Sequence, residues 1–222
     1  MDSQPSTAAE LVDLHERERR RYEEEHQQLL HRPGGNENPY LLHQELGDVM
    51  TTSATVVRRN DQLAAAYQTV QELAERSAHC SLSDTGNWTN QNVIFTKALI
   101  DMFPLALTLI RGALQRDECR GAHYKPEFAM PSLVSKDDEG RRREAETWCD
   151  RFNENNKKWL KSTVASWQGD QPNLQYEDVD TSLITPRPRL YGLVGADAIV
   201  EVWKTRQQER AATATHAQPT NA

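Results

Sequence analysis

The stretch "NVIFTKALIDMFPLALTLIRGAL", residues 92–114, constrains the fold of this chain more than any other. Read as a helix from about Asn90 to Gln115, it places apolar side chains on every side. They are Val93, Ile94, Phe95, Leu99, Ile100, Phe103, Leu105, Leu107, Leu109, Ile110 and Leu114. A helix that is apolar all round has to be covered on most sides, so a core helix enclosed by other elements is expected. Lys97, Asp101 and Pro104 interrupt the run, which therefore falls short of an uninterrupted spanning segment, and no direct membrane span is expected. Pro104 lacks a backbone donor and crowds the preceding turn, which predicts a kink.

The covering elements can be read on either side. Residues 7–31 form a long polar helix: Thr7 with Glu10 fits a capping box, and "ERERRRYEEEH" offers i,i+4 ion pairs on a solvated face. "HRPGGNENPY" breaks it. Asn38 followed by Pro39 is a helix start, and Leu42, Leu46, Val49 and Met50 then fall on one stripe. Asn60 or Asp61 is the expected cap of a third helix, with Leu63, Tyr67 or Ala66, Val70 and Leu73/Ala74 inward. Short connections between periodic helices suit an up-down bundle.

Past residue 128 the chain changes character. "SKDDEGRRREAETWCDRFNENNKK" reads as a short polar helical excursion. "WLKSTVASWQ" and "NLQYEDVD" alternate like strands around a turn at "GDQPN". "TPRPRLYG" is extended, because X-Pro steps disfavour helix. "ADAIVEVWKTRQQERAATA" forms a last amphipathic helix with Ile199, Val202 and Trp203, and residues beyond about Thr213 are expected to be disordered. The fold class expected is mainly α: a three-helix up-down bundle, preceded by a long polar helix and followed by a small β-hairpin-like tail and a C-terminal helix. The divisions are 1–35, 36–128, 129–192 and 193–222.

Charge and cysteine usage narrow the function classes. A net charge of −7 argues against a general nucleic-acid binder. Cys80, Cys119 and Cys149 are few and far apart, with no zinc spacing, and the N-terminus has no signal-peptide core. Both point to a reduced, cytoplasmic setting.

The segment "QRDECRGAHYKPEF", 115–128, gathers the chemistry-bearing residues. Cys119, His123 and Asp117 or Glu118 contain the elements of an activated thiol, but adjacency in sequence does not supply nucleophile–base geometry. Helix capping and ion pairing are the expected roles of these charges. His123 has no partner at i+4 for a metal. Glu118 and Glu127 in a loop are expected to be solvated rather than an acid–base pair. No GxGxxG or GxxxxGK[ST] nucleotide device is present, and Arg141–Arg143 with Glu144 and Glu146 reads as a solvated face. No catalytic, cofactor-binding or metal residue is assigned.

Four blocks carry a family resemblance: "ENPYLLHQELGDVM" (37–50), "GALQRDECRGAHYKPEF" (112–128), "WLKSTVA" (159–165) and "YEDVDTSLITPRPRLY" (176–191). In content, order and spacing they resemble the C-terminal helical domain of the succinate dehydrogenase and fumarate reductase flavoprotein subunit, over roughly residues 36–191. L-aspartate oxidase and adenylylsulfate reductase are more distant relatives. The resemblance implies a three-helix bundle that follows FAD-binding and capping domains, with the RGAH block after its last helix. It implies residues 1–35 as the helical end of the FAD domain, and a Pro- and Arg-containing element at Leu183 to Tyr191. Cys119 stands where the family has serine, and about 20 residues around 133–157 look like an insertion.

The family's FAD fingerprint and its dicarboxylate-handling residues precede this domain, so none can be mapped here. The chain is expected to be a truncated or split flavoprotein, inactive alone. FAD, an FAD-binding domain or chain, and an iron–sulfur subunit are the implied cofactor and partners, with peripheral attachment to the inner face of the membrane through the parent complex. Glu118, Arg120, Gly121, His123 and Tyr124 are the candidate contact with the missing FAD domain. Two other expectations stand beside this one: a non-catalytic interaction module, and a non-functional gene fragment with an exposed apolar patch.

Overall fold

Helix α1 spans Ala8–Leu30 and begins as its cap sequence dictates: Glu10 N–H donates to Thr7 Oγ1 (3.2 Å), and Thr7 N–H donates to Glu10 Oε2 (2.9 Å). Its first turns are solvated and laced by exposed ion pairs such as Arg19 with Glu16 and Glu23. Only Leu29 and Leu30 are buried; they pack with Val93, Leu82 and Ile100. The computed structural model describes residues 7–33, 35–129, 134–184, 186–188 and 196–216. It divides into one unit of residues 1–114 with 167–172 and another of 115–166 with 173–222.

In the first unit, α2 (Pro39–Ser53) is capped by Asn38, whose Oδ1 accepts from Tyr40 N–H at 2.9 Å. It runs through Thr51 and Thr52 and ends at Ser53, with Ala54 as its C-cap. Helix α3 (Asn60–Ser77) starts one or two residues earlier than expected: Arg59 is its cap residue, and no side chain caps it. Helix α4 spans Gln91–Gln115 and continues through Pro104, whose carbonyl accepts from Thr108 Oγ1 at 2.7 Å.

Leu42 and Leu46 of α2, Leu63, Ala66, Val70 and Leu73 of α3, and Leu99, Phe103, Leu107 and Ile110 of α4 form one core. Ala66 rather than Tyr67 takes the buried position, and Tyr67 packs at the margin. Each fully buried large apolar side chain contributes about 1.5–3 kcal/mol. Arg76 braces the unit, donating to Glu37 (2.9 Å) and Glu45 (2.6 Å). Glu37 and Cys80 pair as a parallel bridge. Gly35 lies where a Cβ would come 1.7 Å from the His79 carbonyl oxygen, so only glycine lets the backbone pass there.

The expectation that α4 is covered on most sides does not hold. Ile94 (69%), Leu105 (65%) and Leu109 (62%) are exposed on one face, opposite the core face of Leu99, Phe103 and Ile110. By length and composition α4 is also long and apolar enough to cross a membrane, with a mean hydropathy of 1.9. Lys97, Asp101 and Pro104 thus interrupt it less than the sequence reading expected. A core helix meets the same description.

In the second unit, the polar segment is no short excursion: α5 runs 22 residues, Asp138–Trp159, with Asp137 Oδ1 accepting from Gly140 N–H at 2.7 Å. Strands β1 (Lys161–Gln168) and β2 (Gln171–Asp178) form a two-stranded sheet closed by the two-residue turn Gly169-Asp170, tighter than the turn expected; residues 167–172 at its tip group with the first unit. Helix α6 spans Ala196–His216, past the expected onset of disorder at Thr213; residues 217–222 lie outside the described ones. Val200 is its buried residue, whereas Val202 is exposed. The proposed element ending at Tyr191 lies partly outside the described residues.

Candidate functional site

The block 115–128 is built around a buried carboxylate. Glu118 is 1% exposed. It accepts from Arg116 Nε, from Arg120 Nε (3.0 Å) and from Asn155 Nδ2 (3.0 Å). A buried charge is tolerable only when paired and hydrogen-bonded, and here two guanidinium groups and an amide supply the partners.

Arg116 reaches further. It donates to the carbonyls of Trp159 and Lys161 (3.0 Å) and to Thr163 Oγ1 (3.1 Å), and its guanidinium lies 5.7 Å from the Trp159 ring centroid. Arg120 Nη2 donates to Asn156 Oδ1 at 2.8 Å. The planar fork of arginine suits such multiple, directed bonds.

A tight turn stands on this hub. Arg120 and His123 exchange both backbone bonds, N to O at 2.9 and 3.0 Å. Between them Gly121 adopts φ +58°, a conformation that favours glycine. His123 Nε2 lies 2.8 Å from the Arg116 carbonyl, which can only accept, so this nitrogen carries the proton of that bond. Cys119 Sγ donates to the Lys125 carbonyl (3.1 Å) and receives Lys125 N–H (3.3 Å). Burial pushes the Cys119 thiol up, partly offset by this backbone bond. Lys125 is itself buried, and its Nζ donates to Asp117 Oδ1 at 2.9 Å.

The elements of the thiol reading are therefore each tied to a structural partner: Cys119 to Lys125, His123 to Arg116, Asp117 to Lys125, and Glu118 to the arginines. The thiol stays protonated where a nucleophile needs the opposite shift. Among the described residues no group of three or more His, Cys, Asp or Glu could hold a metal ion. Glu118 is buried while Glu127 is exposed, which separates that pair in environment. Arg141–Arg143 are exposed, as a solvated face should be.

Of the candidate contact residues, Gly121 and Tyr124 are exposed and Arg120 and His123 half-buried. Glu118 is withdrawn from any surface: burial corrects its expected role as a contact. The sequence reading missed Arg116, Asn155, Asn156 and Trp159. The adjacent Asn155-Asn156 late in a helix was the available signal, since asparagine is a weak helix former.

The fold and this site define a helical domain whose charged block is a packed scaffold presenting a small turn. Residues 43–191 match the family described as fumarate reductase flavoprotein C-term. The chain is 41% identical over 159 residues to the succinate dehydrogenase flavoprotein subunit of Bacillus subtilis, covering 71% of this chain and 23% of that protein. It is 30% identical to the fumarate reductase flavoprotein subunit of Helicobacter pylori, over 75% of this chain and 21% of that one. A solved Escherichia coli quinol fumarate reductase chain shares the fold, with a TM-score of 0.62 at 22% identity over 87% of this chain and 29% of that one. The chain belongs to the C-terminal domain family of the succinate dehydrogenase and fumarate reductase flavoproteins. It spans about a quarter of the length of these relatives.

Proposed function

We propose that this chain is the C-terminal, non-catalytic part of a flavoprotein that interconverts succinate and fumarate and passes electrons toward quinone. The carrying observation is the family match over residues 43–191, in a chain that spans about a quarter of its flavoprotein relatives. A dinucleotide cradle needs a strand, a Gly-rich turn and a helix in one βαβ unit. The sheet among the described residues is a two-stranded hairpin without such a unit, which supports placing the flavin elsewhere. The flavin and the dicarboxylate site belong, on this reading, to a preceding domain or a separate chain.

The contact with that partner is made by Arg120, Gly121, His123 and Tyr124 on the turn, with Glu118 holding them from inside. An iron–sulfur subunit and a peripheral position on the inner face of the membrane follow for the assembled complex. The exposed α4 face suits a chain that docks on something, including the plainer reading of an interaction module without catalysis.

Co-expression with an adjacent upstream reading frame that carries the FAD fingerprint tests the proposal. Copurification with bound flavin and succinate-dependent dye reduction is expected. Two proteins that purify apart, neither holding flavin, sink it.

A further inference from the structure

Helix α6 lies beyond the matched residues 43–191, and α5 occupies the segment that reads as an insertion. The structure makes them a pair. Asp150 of α5 accepts from Trp203 Nε1 (2.7 Å) and Gln207 Nε2 (3.0 Å) of α6. Arg206 pairs with Glu146 at 2.6 Å. Ala145 and Cys149 of α5 are fully buried, and Val200 of α6 is 2% exposed.

Helix α5 also has a second face, turned away from Glu146 and Asp150. Ala145, Cys149, Phe152, Asn156 and Trp159 recur at alternating spacings of four and three, which keeps them on one side of a helix. The far end of this face enters the Glu118 hub. Asn155 donates to Glu118, Asn156 accepts from Arg120, and the Trp159 carbonyl accepts from Arg116. The same helix is thus held by α6 at its middle, through Glu146 and Asp150, and by the RGAH block at its end.

We propose that α5 and α6 act as a single clamp, in which α6 fixes α5 and α5 fixes the Arg116–Glu118–Arg120 hub, so that the C-terminal helix positions the Gly121–Ala122 turn. The positioning rests on these contacts alone. Its consequence for partner binding rests on the reading of the turn as a contact surface.

The test uses the full chain with Val200→Asp, which places a charge at the buried seam. Cys149 is the buried reporter on α5: burial raises its thiol to about 11, so it alkylates slowly at neutral pH while the helix stays packed. Peptide mapping separates it from Cys80 and Cys119. Hydrogen exchange over residues 116–125 reports the turn, and peptides from α2 and α3 serve as the internal control. Cys149 labelling and 116–125 exchange should both rise about tenfold or more, as a locally opened region requires, with α2 and α3 unchanged.

Opening at Cys149 with unchanged 116–125 exchange overturns the proposal, and so does no change at either. If Val200→Asp also loosens α2 and α3, the milder double variant Arg206→Ala with Gln207→Ala decides. It must give the same paired rise at smaller size, and its failure to do so overturns the clamp. All readouts are taken on the chain alone, so failed flavin complementation leaves this result standing, and a failed clamp leaves complementation standing.

Discussion

Glu118→Ala is the sharpest probe of how the block is held. The carboxylate is fully buried and accepts three side-chain bonds, two of them from guanidinium groups. Removing one partner of a buried ion pair costs about 3–5 kcal/mol, because the remaining charge is left uncompensated. Here the arginines keep other acceptors: Arg116 retains the Trp159 and Lys161 carbonyls, and Arg120 retains Asn156. The lower end, about 3 kcal/mol, is therefore expected. With a urea dependence of about 1–3 kcal/mol per molar, the midpoint for the second unit falls by roughly 1–3 M. Glu118→Gln keeps the shape and one acceptor oxygen, and should cost about 1.5–3 kcal/mol. The assay is urea unfolding followed by peptide-resolved hydrogen exchange, so that α5 and the block are read apart from the bundle. A Glu118→Ala cost inside the range of about ±0.5 kcal/mol seen for surface substitutions would refute the hub as the organiser of the block.

On α4, Ile110→Ala should destabilise the bundle by about 2–5 kcal/mol, whereas Leu109→Ala should stay within about ±0.5 kcal/mol because Leu109 is exposed; thermal unfolding of both variants checks this, and equal costs would mean that Leu109 is covered in solution. The Arg76 hydrogen bond holds the Glu37 carboxyl below its ordinary value of 4.5. A depressed folded-state value means that this contribution is complete above 4.5 and lost as pH falls through the lower folded value. Arg76→Gln should therefore flatten the acid limb of a melting-temperature profile, and an unchanged acid limb would show that the pair is screened.

Helix existence was legible because it rests on local signals. The Thr7/Glu10 box and the Asn38-Pro39 start are short-range chemistry, and both caps form as read. The stripe Leu42–Leu46 and the Leu63–Val70–Leu73 set follow from periodicity and are buried. The misses share another cause. Asn60 could cap α3 by type, yet the backbone makes Arg59 the boundary residue, because a cap is decided by φ and ψ as well as by the side chain. Helix α5 is longer than its sparse apolar residues suggest, and its tertiary partners, α6 and the Glu118 hub, lie outside any local window. The block's residue types were legible, but Glu118 was read as a surface contact because burial is a tertiary property.

Helix α4 separates what sequence demands from what this chain supplies. Its apolar residues lie on all sides, and α2 and α3 meet that demand on the face of Leu99, Phe103 and Ile110. Ile94, Leu105 and Leu109 fall on a common face four, eleven or fifteen residues apart and stay exposed, and a face of that size is costly to leave in water. Helices α1 and α5 carry exposed ion pairs, such as Arg19 with Glu23 and Arg143 with Glu139, although α1 also exposes Leu11, Val12 and Tyr22. Under the proposed function the α4 face is a surface on which a partner docks, whereas under the gene-fragment reading it is a patch left bare.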